Sequence, residues 1–483
     1  MTIFRKAARD VLIVAGSQVV MWLASFGFIV AQARFLGPAR FGELSLALTY
    51  AAFLAIVIDF GLGTQLSRMV AQRTSDSRDA FAGTMLIRAA LWLIAAPCAL
   101  LAAALLGYDR ELQQVILILA ASVLFLGLGG TVSAYLQGHE LFAVPSLASI
   151  AQRVSAAAFG IVALVFTRDL VAVACAFVLA AIVNVAVLLY GLRRVPLERP
   201  RVDPREAWAL FGRAIPLGLF WIATTFYFSV DMVMLQRLAP AENVGWYAAA
   251  YRLFNAASIV PTIVAGTVLY PVLARLSVGS RDELRVVIAK SLTFLTLSGI
   301  GVALVLAVFA EPIVAVLYPA GTYAEAANAL RLLAPGLAFL YLNWVFAASL
   351  LGLHQERQLL VLALAAAVLN PLANLVAIPL FRQEGAALTT TLTELLMFVW
   401  LIRTMPRDLL GMESLRVGAK SLLAAGLAAL VGVATIGQPV LVTLPLAVLV
   451  YVLAVLASRA VSTGELLALG ALLRPLPVRE EIR

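Results

Sequence analysis

Seven charged side chains stand inside long apolar segments of the sequence, where a bilayer makes a charge costly. Four are arginines and three are acids: Arg88, Arg153, Arg252, Arg331, Asp59, Asp231 and Glu394. A guanidinium stays charged when partly dehydrated and can bind phosphate oxygens through two parallel hydrogen bonds. The small excess of arginine weakly favours an anionic ligand. The structural alternative is a set of buried ion pairs, Asp59 with Arg88 and Asp231 with Arg252, that hold helices together.

The depth of polar residues within the predicted spans adds two further candidates, Gln18 and Asn184. With a cytoplasmic N-terminus, five polar residues of the first half lie about 10–12 Å from the inner surface, at about 1.5 Å per residue: Gln18, Asp59, Arg88, Arg153 and Asn184. In the second half, Asp231, Arg252 and Arg331 lie nearer the outer surface, and Glu394 is near the middle of its segment. These residues are the candidate substrate-binding residues of a water-filled cavity.

Arrangements that carry catalysis or hold metals are not found in the sequence. His139 and His354 occur singly, and Cys98 and Cys175 lie inside apolar segments. Neither a Gly-Xaa-Ser-Xaa-Gly elbow nor a Walker phosphate loop occurs. Basic residues are scattered among short loops rather than grouped on a polar module, which argues against nucleic acid. We therefore expect a protein that is not an enzyme and that has no cofactor and no metal site.

Composition places the chain among polytopic membrane proteins. Of its 483 residues, 63% are hydrophobic and 13% are charged, and the mean hydropathy is +1.00. A bilayer crossing needs about 20 apolar residues in a helix, and the apolar runs are continuous rather than alternating as in a barrel. The sequence predicts an all-α fold with about 14 spans: 11–33, 43–66, 81–106, 113–136, 145–166, 170–192, 211–236, 246–274, 287–310, 326–352, 359–380, 384–402, 418–437 and 439–458.

The basic residues predict how the spans are oriented. The first apolar run is too long for a signal peptide and reads as a retained span. Arg and Lys concentrate in alternate loops, which predicts cytoplasmic N- and C-termini by the positive-inside rule. The richest loop, Arg193–Arg205, has several prolines and arginines and reads as a linker between two halves.

A weak internal repeat supports this division. Leu36–Pro38 is echoed by Leu238–Pro240, and each is followed by a glycine that opens a long span, Gly42 and Gly245. We expect parallel repeats of six spans each. The predicted parts are an N-terminal lobe (1–200), a C-terminal lobe (201–405), and two additional transmembrane helices with a cytoplasmic tail (406–483).

Five stretches together resemble a known family. They are Arg34–Gly42, Asp59–Arg68, Val230–Leu235, Val244–Leu253 and Tyr270–Leu276. Their residues are similar to those of the polysaccharide biosynthesis protein family, the Wzx-type oligosaccharide flippases of the multidrug/oligosaccharidyl-lipid/polysaccharide (MOP) exporter superfamily. The resemblance covers spans one to twelve and is strongest in spans one, two, seven and eight.

The resemblance implies a V-shaped pair of six-helix lobes that alternate between inward-open and outward-open states. It implies an oligosaccharide linked to undecaprenyl pyrophosphate as substrate, carried across the bacterial inner membrane. Implied partners are membrane lipids, other polysaccharide assembly proteins and a coupling ion, H⁺ or Na⁺. By similarity, Asp59, Arg68, Asp231 and Arg252 stand at recurring polar positions of the family.

Three alternatives remain open on the sequence alone. A lipid II flippase would use the same chemistry on a different sugar. A drug or cation antiporter of the same superfamily would share the lobes, but it should bind cations with carboxylates, and the embedded arginines argue against it. A membrane polysaccharide polymerase or ligase is disfavoured because the outward loops are short.

Overall fold

The computed structural model describes residues 2–72, 77–193, 195, 204–277, 281–319, 321–410, 412–435 and 437–460, and its account of side chains begins at Met21. Within these residues, twelve helices are long and apolar enough to cross a membrane. Two of them, with 48 and 49 residues, far exceed one crossing, and each is divided by a break into two spans. The all-α polytopic class is confirmed, and a helical segment matches each predicted span.

The helices follow one another through short connections. Their bounds are α1 (Thr2–Asp59), α2 (Leu62–Ala71), α3 (Ser77–Leu105), α4 (Arg110–Gly138), α5 (Ala143–Phe166), α6 (Leu170–Leu192), α7 (Pro204–Leu238), α8 (Ala241–Ala257), α9 (Ile259–Ile263), α10 (Tyr270–Leu276), α11 (Arg281–Val308), α12 (Ala310–Leu317), α13 (Ala324–Gly352), α14 (Glu356–Thr404), α15 (Met412–Ala434) and α16 (Val440–Ala457). A π-helical turn, Val264–Leu269, joins α9 to α10, and a 3₁₀ turn, Arg407–Leu409, precedes α15.

Backbone dihedral angles locate the two breaks, and residue type explains the first. In α1, Gly37 has φ +74° and ψ 173°, a conformation open to glycine but not to residues with a Cβ. Pro38 follows and has no N–H with which to continue the helix. This break lies between the first two predicted spans, 11–33 and 43–66. In α14, the break is at Arg382, with φ +52° and ψ −128°.

The chain divides into two compact units. Unit 1 comprises Met1–Ala249, Leu317–Tyr323 and Ala363–Ala386. Its helices pack α4 and α5 against α6, and α1 against α3, α4, α5 and α7. Leu66, Tyr135 and Leu188 belong to one of its buried clusters.

Unit 2 comprises Ala250–Val316, Ala324–Leu362 and Ala387–Arg483. Within it α11 packs against α13 and α15, and α15 packs against α16. On its surface the Arg281 Nε donates to Asp408 at 2.6 Å, and this hydrogen bond holds the pKa of the Asp408 carboxyl below its ordinary value. The predicted lobe boundary, between residues 200 and 201, lies outside the described residues, so the lobe division stays a prediction.

The two glycines of the sequence repeat touch each other within unit 1. A Cβ on Gly42 would lie 2.7 Å from the Gly245 backbone nitrogen, and a Cβ on Gly245 would lie 1.9 Å from the Pro38 carbonyl oxygen. The starts of the two repeat-related helices therefore meet backbone to backbone. Only glycine permits this approach. The close backbone contact therefore explains why glycine occurs at both positions.

Candidate functional site

A sharp turn places Asp59 at the end of α1. Phe60 (φ +43°) and Gly61 (φ +77°) both adopt the left-handed backbone, and α2 starts directly after them. The Asp59 Oδ2 accepts a hydrogen bond from the Gly61 backbone N–H at 3.3 Å, as aspartates commonly do in turns. The carboxylate is thereby fixed at the junction of α1 and α2.

Arg88, from the middle of α3, is the partner of this carboxylate. Its Nη2 donates to the Asp59 Oδ1 in an ion pair. Its Nη1 donates to the Gly127 carbonyl at 2.5 Å and to the Thr131 Oγ1 at 3.0 Å, both on α4. The Arg88 side chain is 2% exposed, whereas that of Asp59 is 50% exposed. The guanidinium is thus the buried half of the pair.

Two glycines make room for the guanidinium. A Cβ on Gly130 would lie 2.9 Å from the Arg88 Nη1, and a Cβ on Gly63 would lie 3.1 Å from its Nη2 and 3.2 Å from the Asp59 Oδ1. All three distances are shorter than ordinary van der Waals contact. Gly63 of α2 and Gly130 of α4 therefore create the slot for a buried charge.

Asp59 and Arg88 form one wall of a polar pocket of about 510 Å³ in unit 1. The remaining walls come from α2 and α4: Gly63, Thr64, Ser67, Arg68, Ala71, Gly130, Ser133, Ala134 and Gln137. Arg68 is exposed at this pocket, and the Gln137 Nε2 donates to the Ser133 Oγ at 3.0 Å. The pocket therefore offers a cation, hydroxyls and an amide to a polar group, beside one half-exposed carboxylate.

A second polar cluster in unit 1 surrounds Asp231 of α7, which is 2% exposed. Its Oδ2 accepts from the Tyr247 hydroxyl of α8, and its Oδ1 accepts from the Asn374 Nδ2 of α14, each at 2.7 Å. The same Nδ2 donates to the Asn370 Oδ1 at 2.9 Å. Three helices thus converge on one buried carboxylate.

A third polar cluster lies within unit 2 and contains Glu394. Glu394 is fully buried on α14, and its Oε2 accepts from the Asn343 Nδ2 of α13 at 2.8 Å. Arg331, also of α13, instead forms a partly exposed ion pair with Glu311 at 2.7 Å. Glu394 thus has an amide partner in Asn343, and Arg331 has a carboxylate partner in Glu311.

Three other candidates lie on three different helices. Arg153 of α5 is exposed, and its Nη1 lies 3.4 Å from the Ser25 Oγ. Asn184 is buried on α6 and lies against Gly129. Arg252 is half-buried on α8, and the side chain of Gln18 lies outside the described ones.

Unit 2 contains an apolar groove of about 900 Å³. It is lined by helices α11, α13, α14 and α15, with residues that include Leu292, Leu304, Phe339, Phe346, Phe398 and Leu422. Among the described residues that line it, Thr296 alone has a polar side chain. Such a surface within a membrane-spanning unit suits a hydrocarbon chain.

A family model described as "Polysaccharide biosynthesis protein" matches residues 7–277, which is more than half of the chain. The chain belongs to the polysaccharide biosynthesis protein family. The matched stretch includes every residue that lines the pocket beside Asp59 and Arg88. A second model, MatE, matches residues 216–376, and comparison with proteins of curated function finds no match.

Solved structures that are similar to this chain belong to the MOP superfamily. The lipid II flippase MurJ, in an inward closed conformation, is similar with a TM-score of 0.78 and 13% identity over 94% of this chain and 100% of MurJ. An inward-facing multidrug resistance MATE family transporter has a TM-score of 0.64 and 14% identity, over 80% of this chain and 94% of its own. A MOP superfamily transporter from Pyrococcus furiosus has a TM-score of 0.54 and 16% identity, over 82% and 93%. The fold is that of the MOP superfamily, and the predicted resemblance is confirmed.

The sequence pointed to the charged residues but not to several of their partners. Thr131, Gly63 and Gly130 were not singled out as neighbours of a charge, and Tyr247 was not linked to Asp231. A signal was present for Asn374, because an amide in an apolar span needs a hydrogen-bonding partner. The family is one of flippase-type transporters, and the chain is a multi-pass membrane protein.

Proposed function

We propose that the protein is a flippase that moves an oligosaccharide linked to undecaprenyl pyrophosphate across the bacterial inner membrane, for surface polysaccharide assembly. The observation that supports this function is the polar pocket lined by Asp59, Arg68 and Arg88. It is set among membrane-spanning helices, within the stretch that matches the family model. A substrate whose head carries phosphates and sugar hydroxyls fits the donors and acceptors of this pocket.

The exposures of the two arginines support different roles for them. Arg88 is 2% exposed and is paired with Asp59, so it shapes the pocket from behind. Arg68 is exposed at the pocket. We therefore propose Arg68 for direct contact with the anionic head, because a guanidinium can bind phosphate oxygens bidentately. Asp59 is left to accept hydrogen bonds from sugar hydroxyls.

The apolar groove of unit 2 supports a substrate with a long hydrocarbon chain. Its walls carry almost no group that would need a polar partner. A polyprenyl chain placed there would bury apolar surface without leaving hydrogen-bonding groups unsatisfied. A water-soluble drug would gain less from such a groove.

The lipid-linked glycans of a strain that lacks the protein test this function. We expect a complete repeat unit on undecaprenyl pyrophosphate to accumulate, and the intact gene to return it to normal. Arg68→Ala is expected to fail in this complementation with its protein level unchanged, because the head loses its cation. The matched control is Arg357→Ala, an exposed arginine at the start of α14, which should complement fully. Mass spectrometry of the extracted lipids is the measurement.

The same experiment separates the alternatives. The MatE match over residues 216–376 favours a drug or cation exporter as the second candidate, and an unchanged lipid pool would select it. Accumulation of lipid II in place of a repeat unit would select a lipid II flippase. Accumulation confined to the outer leaflet would point to a polymerase or ligase.

We infer further that Asp231 couples transport to H⁺ or Na⁺. An acid that is 2% exposed inside a membrane span is a candidate functional residue by default. Its carboxylate accepts hydrogen bonds from Tyr247 and Asn374, which lie on two other helices. A cation bound in one state and released in another would give the conformational cycle its direction.

Asp231→Asn tests this coupling because asparagine has nearly the same shape and no charge. We expect the variant to fold, since one oxygen can still accept from Asn374. Its transport in proteoliposomes should no longer respond to an imposed pH or Na⁺ gradient. Asp408→Asn, an exposed acid of unit 2, should respond as the wild type does. A full gradient response by Asp231→Asn would rule out the assignment.

We further propose a membrane orientation and a division into lobes. The termini are cytoplasmic, and residues 1–200 and 201–405 act as lobes that alternate between inward-open and outward-open states, with 406–483 as an appendage. The surrounding partners are membrane lipids and other polysaccharide assembly proteins. Cysteine accessibility from each side of the membrane, at exposed loop positions such as Glu140, checks the orientation.

A further inference from the structure

The span Ala241–Leu276 is interrupted in its middle. Helix α8 ends at Ala257, Ser258 forms a turn, and α9 lasts for five residues before the π-helical turn Val264–Leu269. Such π-turns are rare and concentrate at functional positions. The interruption therefore needs a local cause.

Pro261 supplies the cause. Proline has no N–H, so the carbonyl four residues earlier, that of Ala257, loses its helical donor. Two hydroxyls bond back to neighbouring carbonyls: the Ser258 Oγ donates to Asn255 and the Thr262 Oγ1 to Ser258, each at 2.8 Å. Bonds of this kind bend helices. None of them reaches the Ala257 carbonyl.

A tyrosine from a neighbouring helix replaces the missing donor. The hydroxyl of Tyr341, on α13, donates to the Ala257 carbonyl at 2.8 Å. Tyr341 is fully buried, and it is seated against Gly299 of α11, where a Cβ would lie 2.9 Å from the Tyr341 Cβ. A buried carbonyl without a donor is costly in a membrane, so this bond stabilises the broken geometry.

The same helix α13 also supports the far side of the interruption. A Cβ on Gly352, at the end of α13, would lie 3.0 Å from the Leu273 Cβ and 3.2 Å from the Ala274 nitrogen of α10. Between the two supports lies Gly266, which has no atom within 4 Å of where its Cβ would be. The segment is thus supported at both ends, and it has free space on the side where Gly266 lies.

We propose that Ser258–Leu269 is a hinge in this span, and that Tyr341 is the positioning residue that sets its angle by donating to the carbonyl that Pro261 leaves open. Release of this one hydrogen bond lets the span change its bend without disturbing the packing of α10 on α13. The hinge follows Arg252 of α8, so it also determines where that side chain is presented. The proposal is independent of which substrate the protein carries.

Backbone amide hydrogen exchange of the full-length protein in lipid nanodiscs tests the proposal. Tyr341→Phe removes only the hydroxyl, and we expect exchange in residues 258–269 to become about tenfold faster, as the loss of a buried hydrogen bond implies. Tyr451→Phe is the matched control. Its hydroxyl also donates at 2.8 Å, to Leu297, but that carbonyl keeps a helical donor from Gly301. It should leave residues 258–269 unchanged.

Pro261→Ala provides the second arm, because it returns the missing N–H. We expect slower exchange in residues 258–263 for this variant, and Tyr341→Phe should add little when placed on top of it. Exchange within about twofold of wild type in Tyr341→Phe would overturn the proposal. The proposal would also be overturned if Tyr341→Phe accelerated exchange equally in the wild-type and Pro261→Ala backgrounds. Faster exchange in Pro261→Ala alone would overturn it too.

Discussion

Asp59→Ala is expected to lower the free energy of unfolding by about 3–5 kcal/mol, the usual result of leaving a buried charge without its partner. The guanidinium of Arg88 would keep its bonds to Gly127 and Thr131, but it would be 2% exposed with no carboxylate beside it. Denaturant unfolding of the purified protein in detergent measures the change. Transport should be lost as well, because the pocket wall is rebuilt around an unpaired charge.

Substitutions of Asp59 and of Arg88 should lower the free energy of unfolding by different amounts. Arg88→Met leaves Asp59, which is half exposed to the pocket and can be hydrated there. We expect a smaller loss of stability than for Asp59→Ala, and the double variant should recover part of the loss that Asp59→Ala causes. Asp408→Ala, which breaks the exposed pair with Arg281, should give no measurable change. Equal losses for the two single variants would show that Arg88 is not the buried partner.

Gly245→Ala is the second substitution for which we expect a large effect. The added Cβ would lie 1.9 Å from the Pro38 oxygen and 2.6 Å from its carbonyl carbon. The obstacle is backbone, so a change of rotamer cannot remove it, and the two helices have to separate. We expect a destabilisation at or above the about 1–3 kcal/mol that overpacking usually costs, together with loss of transport.

A graded series tests this contact. In Gly42→Ala the new Cβ would lie 2.7 Å from the Gly245 nitrogen, so the loss should be smaller than for Gly245→Ala. Gly27→Ala is the control from the same helix, α1. No atom lies within 4 Å of its Cβ position, and removal of a helical glycine should leave stability unchanged or raise it by about 0.5–1 kcal/mol. Wild-type stability for Gly245→Ala would mean that the two repeats do not approach so closely.

The sequence predicts the spans well because a crossing is a matter of length and apolarity. Each predicted span has its helical counterpart, and the first break falls within Arg34–Gly42 because glycine and proline are local signals. The pairing of Asp59 with Arg88 was one of two open interpretations, since an acid and a base at one depth can meet or can both face a ligand. The structure pairs the two residues, with Arg88 buried and Asp59 half exposed, and a contact of either with the substrate stays a prediction.

The partners supplied by other helices were not predictable in the same way. Asp231 and Asn374 are 143 residues apart, and the apolar residues between them do not fix how α7 and α14 are rotated. The Gly127 carbonyl that binds Arg88 carries no sequence signal at all. For the same reason nothing in the sequence marks Tyr341 as the residue whose hydroxyl donates to a carbonyl on another helix.

The Asp59–Arg88 pair also constrains how the protein is made. Asp59 leaves the ribosome first, Arg88 follows 29 residues later, and Thr131 comes 43 residues after Arg88. A lone arginine at the centre of a helix opposes entry from the translocon into lipid by about 2.5–3.5 kcal/mol, and Arg88 lies in the middle of α3. The full set of partners exists only after most of α4 has been synthesised. Helices α1 to α4 are therefore expected to be retained at the insertion machinery and released into the bilayer as a group.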